Sequence, residues 1–210
     1  MATRQLVSIV ENDHFTGEFL VKFLRKNNYE VRLYVGTEPD IVARCAEGDL
    51  VLMDMGLGLL TGPQLCRRLR LENGTVPVLG MTSFEINYYM RDLRAAGAQG
   101  LMYKEELDQL LDSLAQLSEG RPYDGWEMPE EAHERVVREA EEKAQLTLQE
   151  EKVLNGYRLS GGDTSSVGSF LHIASSTVRK HLQAIRAKLG MGTNHDLLSD
   201  DSATGYQENR

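Results

Sequence analysis

Long apolar runs are missing from this chain of 210 residues. Its longest span only a few residues, far below the roughly 18 a membrane crossing needs, and the opening MATRQLVSIV has neither a basic lead nor an extended apolar core. No membrane partner and a cytoplasmic location are therefore expected. Cysteine is equally scarce. Cys45 and Cys66 could close one disulfide at most and match no zinc spacing, so two reduced, core or half-buried thiols are expected. Basic charge is also short, with 23 Lys and Arg against 32 Asp and Glu, net −9, which argues against a surface that clings to nucleic acid throughout. What is present is ordinary for a folded protein. Hydrophobic residues make up 41% and there are 19 glycines, which excludes wholesale disorder, and the length suits one large or two small domains.

The charge is unevenly spread. Residues 1–120 carry 12 basic and 17 acidic side chains, and residues 121–145 carry 4 and 8, so the front of the chain is acidic. Residues 146–198 reverse the sign, with six basic side chains (Lys152, Arg158, Arg179, Lys180, Arg186, Lys188) against four acidic. A basic island behind an acidic front is one pointer to a nucleic-acid partner.

The first 120 residues alternate two periodicities. Short apolar strands are read at Leu6–Val10, Val31–Val35, Leu50–Met53, Val78–Met81 and Leu101–Tyr103, each bounded by Gly, Pro, Asn or Asp. Helical stripes lie between them: Phe15, Phe19, Leu20, Phe23 and Leu24 on one face, Leu65 and Leu69 with Cys66 on another, and Leu107, Leu110, Leu111 and Leu114 on a third. Five β/α units result, predicting an α/β fold with a doubly wound parallel sheet and any ligand site outside the carboxyl ends of the strands. The turn-rich GRPYDG and the charged stretch Met128–Ala144 then read as an acidic linker over 121–145 with a helical part. Its weak stripe, Ala132, Val136, Val137 and Ala140, is expected to lean on a domain or a second copy. Residues 146–198 read as a small all-α bundle, with helices at Leu148–Leu159, Asp163–Leu171, Ser175–Leu189 and Thr193–Leu198. A frayed polar tail is expected over 199–210.

The strand ends carry the chemistry. Glu11, Asn12 and Asp13 close the first strand, Asp54 the third, Thr82 and Ser83 the fourth, and Lys104 the fifth, all at one edge of one sheet. Carboxylates can hold Mg²⁺ through hard oxygen ligands, a hydroxyl can bond a phosphoryl oxygen, and an ammonium can neutralise its charge. That set suits phosphorylation of a carboxylate. A haloacid-dehalogenase reading would need a second aspartate at position 56, where Gly56 stands, and G-x-G-x-x-x-G at Gly56, Gly58 and Gly62 has neither the place nor the spacing of a dinucleotide fingerprint.

Over roughly residues 3–119 these motifs resemble the receiver domains of two-component response regulators, a flavodoxin-like fold. DLVLMDMGLGLLTG is similar to the acceptor strand and loop, PVLGMTS to the fourth strand with its switch hydroxyl, and AAGAQGLMYK to the approach to the family lysine. The resemblance implies that Asp54 accepts a phosphoryl group, that Thr82 and Lys104 contact it, and that Glu11, Asp13 and Asp54 support Mg²⁺. It also implies a sensor histidine kinase as phosphodonor. Three positions depart from the pattern. Asn12 replaces an acidic residue, Leu101 replaces an inward-packing aromatic while Tyr103 is expected to face the other way, and Gly58 stands where proline is common, predicting a looser loop.

In HIASSTVRKHLQAIRAKLGM, Val178, Leu182, Ile185 and Leu189 form the buried stripe of one helix, for which Ser175 is a good N-cap. Arg179, Lys180, Gln183 and Arg186 project from the other side, long donors suited to phosphates and base edges in a major groove. With the shorter helix before it, this makes a helix-turn-helix. The segment from Leu146 to Leu198 resembles the DNA-binding domain of LuxR/FixJ-type regulators. That resemblance implies base contacts by Arg179, Lys180 and Gln183, and phosphate contacts or packing by Thr177, His181 and Lys188. The whole reads as a non-enzymatic, DNA-binding transcriptional regulator that forms a homodimer on operator DNA. The alternative is an atypical, phosphorylation-independent regulator acting through constitutive dimerisation or protein contacts.

Overall fold

The computed structural model describes residues 4–36, 38, 40–142 and 146–199. The chain divides into two compact units, Met1–Glu139 and Ala140–Arg210. The first runs β1 (Leu6–Val10), α1 (His14–Lys26), β2 (Glu30–Tyr34), α2 (Ile41–Cys45) and β3 (Leu50–Asp54). A small hairpin, β4 (Gly56–Leu57) and β5 (Leu60–Thr61), follows, then α3 (Gly62–Glu72), β6 (Val78–Thr82), α4 (Ile86–Ala96), β7 (Gly100–Tyr103) and α5 (Leu107–Ser118). The five long strands are parallel in the order β2-β1-β3-β6-β7. The strand order reverses between β1 and β3, so their carboxyl ends flank the crevice where doubly wound sheets bind ligands.

Alternation along the strands sorts the core into two layers. Leu50 and Leu52 pack with Leu20, Val21 and Leu24 of α1 and Leu110, Leu114 and Leu117 of α5. Val51 and Met53 face the other way, with Ile41, Leu65, Leu69 and Leu93 of α2, α3 and α4. Two of the three phenylalanines of α1 do not share its buried face: Gly17, Leu20, Val21 and Leu24 are buried and Phe23 packs partly buried against the core, whereas Phe15 and Phe19 are exposed. Phe15 and Phe19 lie on the solvent side because the neighbouring row of Leu20, Val21 and Leu24 fills the space above the sheet.

The stretch after Ser118 packs onto this same unit. In α6 (Pro129–Glu142), Ala132 and Val136 are fully buried and Val137 is half-buried, so the weak stripe leans on the sheet domain. Arg135 fastens the helix, donating to the carbonyls of Ala95 (3.0 Å) and Arg94 (3.2 Å) and to Glu127 (2.7 Å) and Glu139 (3.1 Å). Beneath it the wholly buried Arg70 donates to the carbonyls of Gly97, Asn73 and Val76 and to Gln99 Oε1, all at 3.0 Å. Composition puts a boundary at residue 120, but the compact unit continues to Glu139. The end expected at Ala144 lies outside the described residues.

The second unit holds α7 (Leu148–Leu159), α8 (Thr164–Leu171), α9 (Ser175–Leu189) and α10 (Asp196–Ser199) around Val153, Leu154, Tyr157, Val167, Val178, Leu182, Ile185 and Leu197. Thr147 and Glu150 form a capping box on α7, and Asp163 caps α8 by accepting from the N–H groups of Ser165 and Ser166. Of the tail read over 199–210, everything past Ser199 lies outside the described residues.

Candidate functional site

At the carboxyl end of the sheet, β3 ends in Asp54 and β7 runs into Lys104, whose N–H donates to the carbonyl of Thr82 at 2.9 Å. Lys104 Nζ bridges two carboxylates, 2.8 Å from Asp54 Oδ1 and 2.6 Å from Glu11 Oε2. All three side chains are largely withdrawn from solvent, at 11% exposure for Asp54, 16% for Lys104 and 2% for Glu11. Burial pushes the Glu11 carboxyl above its usual value, against the Lys104 ammonium that favours its charged form, and the Asp54 charge adds to the rise. Burial alone would lower Lys104, but its bonds to Asp54 and Glu11 outweigh it and hold the ammonium above its ordinary value. Two carboxylates and one ammonium leave a net negative edge with a proton donor fixed on Asp54.

The other predicted residues are placed as follows. Thr82 lies at the same edge, 1% exposed, with its hydroxyl accepting from the N–H of Phe84 at 3.0 Å. Asp13 is engaged at the start of α1. Its carboxylate caps α1 by accepting from Thr16 N–H at 2.7 Å, while its own N–H donates to Glu11 Oε1 at 3.0 Å. Asn12 is committed as well, its Oδ1 accepting from Gly36 N–H at 2.9 Å. Among the described residues no group of three or more Asp, Glu, His or Cys converges on one point. Glu11 and Asp54 still fit Mg²⁺, which is commonly held by one or two carboxylates with waters and phosphate oxygens completing its shell. The fit is to two carboxylates rather than to the three expected.

Two details of the loops differ from expectation. Gly58 does not loosen its loop: at φ +77° it takes the first central position of the hairpin, as a tight II′-type turn requires, and Leu57 and Leu60 on either side are buried. Leu101 is buried against the α4 layer and Met102 against the opposite one, so alternation puts the half-exposed Tyr103 on the side of Leu101. Cys45 and Cys66 are free and buried, and burial pushes both thiols up to about 12. Among the described residues no helix is long and apolar enough to cross a membrane.

In the second unit, α9 buries Val178, Leu182 and Ile185 and exposes Arg179, Lys180 and Gln183 to solvent, with Thr177 and His181 half-buried. Ala174, not Ser175, is the N-cap, and no side chain bonds to the first turn. Lys188 is not a free cation: its ammonium is 2.6 Å from Glu150 Oε2, tying α9 to the start of α7. Sequence spacing could not show this pair, because its members are 38 residues apart. Gly168 of α8 lies where the turn folds back, and a Cβ there would be 2.7 Å from the carbonyl oxygen of Ile173.

A family model described as a response regulator receiver domain matches residues 7–115. Among solved structures, a LuxR-family two-component response regulator from an Aurantimonas species is similar, with TM-score 0.52 and 19% identity, covering 67% of this chain and 100% of that one. The two-component response regulator RcsB in a DNA complex is similar over 93% of this chain and 96% of that one, with TM-score 0.51 and 15% identity. The Vibrio cholerae chemotaxis protein CheY4 gives TM-score 0.50 at 22% identity, over 54% of this chain and 98% of that one. These likenesses concern the fold. Among curated proteins there is no match.

Proposed function

Because residues 7–115 match its model, the chain belongs to the response regulator receiver family, and on that premise we propose a DNA-binding transcriptional regulator switched at Asp54. The observation that carries the proposal is the ammonium of Lys104 bridging Asp54 and Glu11. Lys104 orients the Asp54 carboxylate through Oδ1, leaving Oδ2 to attack phosphorus in line as the bond from phosphorus to the donor's leaving group breaks. The same ammonium then neutralises charge on the transferred group. Mg²⁺, when bound through Glu11 and Asp54, supplies further neutralisation. The Thr82 hydroxyl reaches the phosphoryl oxygen by giving up its bond to Phe84. The donor expected for this family is a sensor histidine kinase, and the protein acts in the cytoplasm by binding rather than by turnover.

The output is operator DNA, read by α9 of a homodimer. Arg179, Lys180 and Gln183 contact base edges and Thr177 a phosphate, whereas Lys188 reaches a phosphate only by leaving Glu150. Support comes from the exposure of that set on one helix and from a relative of the same fold, RcsB, whose structure is a DNA complex. A second reading, control without phosphorylation through constitutive dimerisation or protein contacts, is favoured by the commitment of Asn12 to Gly36 and by the aliphatic Leu101.

Intact-mass measurement with Mg²⁺ and a sensor kinase or small phosphodonor tests the switch. One phosphoryl adduct, absent in Asp54→Asn, is expected. No adduct with any donor would transfer the case to the second reading. For the output, Arg179→Glu with Lys180→Glu should abolish binding to genomic DNA fragments, and affinity should fall steeply with salt. Undiminished binding by that variant would remove α9 as the DNA-reading element.

A further inference from the structure

The sheet ends at β2, and the free backbone groups of that edge can be read from the ladder. Glu30 N–H donates to the Gln5 carbonyl at 2.9 Å and Glu11 N–H to the Tyr34 carbonyl at 3.1 Å, so residues 30, 32 and 34 turn their polar groups toward β1. Residues 31, 33 and 35 therefore turn theirs outward. Side chains occupy two of the outward groups: the Arg25 guanidinium donates to the Val31 carbonyl at 3.3 Å, and Val35 N–H donates to Glu38 Oε1 at 2.8 Å. Leu33, between them, has neither its N–H nor its C=O matched among the described residues. A cavity of about 480 Å³ lies along this edge, lined by residues 31–34 with Arg25, Arg44 and Glu47. Three arginines thus meet at one cavity, in a region, residues 1–120, that carries 12 basic side chains against 17 acidic. Arg44 lies over the Tyr34 ring, 4.6 Å from its centroid, and pairs with Glu38, while Arg32 pairs with Glu47. Exposed ion pairs of this kind contribute little, so an incoming carboxylate can take the place of Glu47.

We propose that the β2 edge docks an extended acidic peptide segment of a partner protein, added antiparallel with one residue opposite Leu33 and an acidic residue on each side of it. In an antiparallel pair a single residue can exchange both bonds with Leu33, its N–H donating to the Leu33 carbonyl and its carbonyl accepting from Leu33 N–H. Alternation then sends the two flanking side chains to the face of Arg32 and Tyr34, over which Arg44 lies. Carboxylates there meet guanidinium groups, which bind them through paired N–H donors. The central side chain falls on the other face, beside the half-buried Leu33, and is apolar. A second copy of this chain is the poorer occupant, since pairing edge to edge would bring arginines against arginines, the usual protection of an exposed strand. The open stretch is short. From Val31 to Val35 it spans about 13 Å at ~3.3 Å per residue, and only Leu33 offers both groups, so the contact is weak and reversible. The inference is independent of the switch at Asp54, because none of its residues belongs to that cluster.

Titration of the isotope-labelled full chain with the capped pentapeptide Thr-Glu-Val-Glu-Thr, followed by NMR, tests it. The amide signals of Leu33 and its neighbours are expected to shift, and Leu33 N–H to gain protection from exchange. The same peptide with N-methylvaline at its centre lacks the donor for the Leu33 carbonyl and should bind about tenfold more weakly, and Thr-Lys-Val-Lys-Thr should not bind. Glu47→Gln leaves Arg32 unspent and should tighten binding about threefold, whereas Arg32→Glu should abolish it, with unchanged signals from the sheet interior showing that both variants fold. Equal binding of the N-methylated peptide overturns the strand pairing and the proposal with it. Displacement of the peptide by equimolar inorganic phosphate also overturns it, by making the arginines a simple anion site. So does the absence of any shift at Leu33 with millimolar peptide, whatever mass measurement shows at Asp54.

Discussion

Gly168→Ala is expected to destabilise the helical unit, although helix propensity alone forecasts the opposite. In a helix interior alanine gains roughly 1 kcal/mol over glycine. The new Cβ, however, would stand 2.7 Å from the carbonyl oxygen of Ile173 and 3.4 Å from the N of Ser175. Both are backbone atoms of the turn into α9, so relief requires moving the turn rather than rotating a side chain. Overpacking of this kind costs about 1–3 kcal/mol. The bond from Ile173 N–H to the Gly168 carbonyl, 2.9 Å long, lies in the same turn, and weakening it adds about 0.5–1.5 kcal/mol. Set against the propensity gain, a net loss of roughly 1–2 kcal/mol remains. Hydrogen exchange of the full chain, followed by mass spectrometry, should show amides of α8 and α9 exchanging about tenfold faster with those of the sheet unchanged. DNA affinity should fall with it, since α9 carries Arg179 and Lys180. Slower exchange in α8 than in the unsubstituted chain would refute the reasoning, because it would mean that propensity outweighs the close approach.

Arg70→Leu should cost roughly 2–3 kcal/mol, because it removes the buried guanidinium's bonds to Gly97, Asn73, Val76 and Gln99, although Gly97 and Gln99 keep donors in Gln99 Nε2 and Val78 N–H; urea unfolding followed by the fluorescence of Trp126, the single tryptophan, measures it. Arg135→Ala should release α6 from the end of α4 at a cost of about 2 kcal/mol, read as lost exchange protection in α6 ahead of the sheet. Acid should loosen the packing of α9 on α7. Burial raises the Glu150 carboxyl, but Lys188 and the capping Thr147 outweigh it and hold its folded value below the ordinary one. A lowered folded value contributes stability that is present above the unfolded pKa and is lost as pH falls through the folded one. Exchange protection of α7 should therefore decline below about pH 4.5, and Glu150→Gln should remove that dependence.

Much of the architecture was legible from the chain alone, since periodicity is a local property. Five strands with period two and helices with period 3.6 are written in the spacing of apolar residues, and the five strands and the helices of the second unit lie within a residue of their expected bounds apart from the short last helix, read at Thr193–Leu198 and found at Asp196–Ser199, whereas α2, α4 and the β4–β5 hairpin had no stripe of their own. The convergence of Glu11, Asp54, Thr82 and Lys104 follows too, because parallel strands bring their carboxyl ends to one edge. What each side chain does there depended on neighbours distant in sequence. Asp13 and Glu11 are two residues apart and both acidic, yet one caps a helix and the other pairs with Lys104, 93 residues away. Lys188 is one of several basic residues in its helix, and only packing brings its ammonium to Glu150. Phe15 and Phe19 fit an amphipathic pattern as well as Leu20 and Leu24 do. Their outward position was decided by which row the sheet could cover, a choice that hydrophobicity leaves open when two apolar rows share one helix. Local sequence thus determined most of the elements and their order, while long-range packing decided which charges are paired, which glycine is closely packed and which apolar row faces solvent.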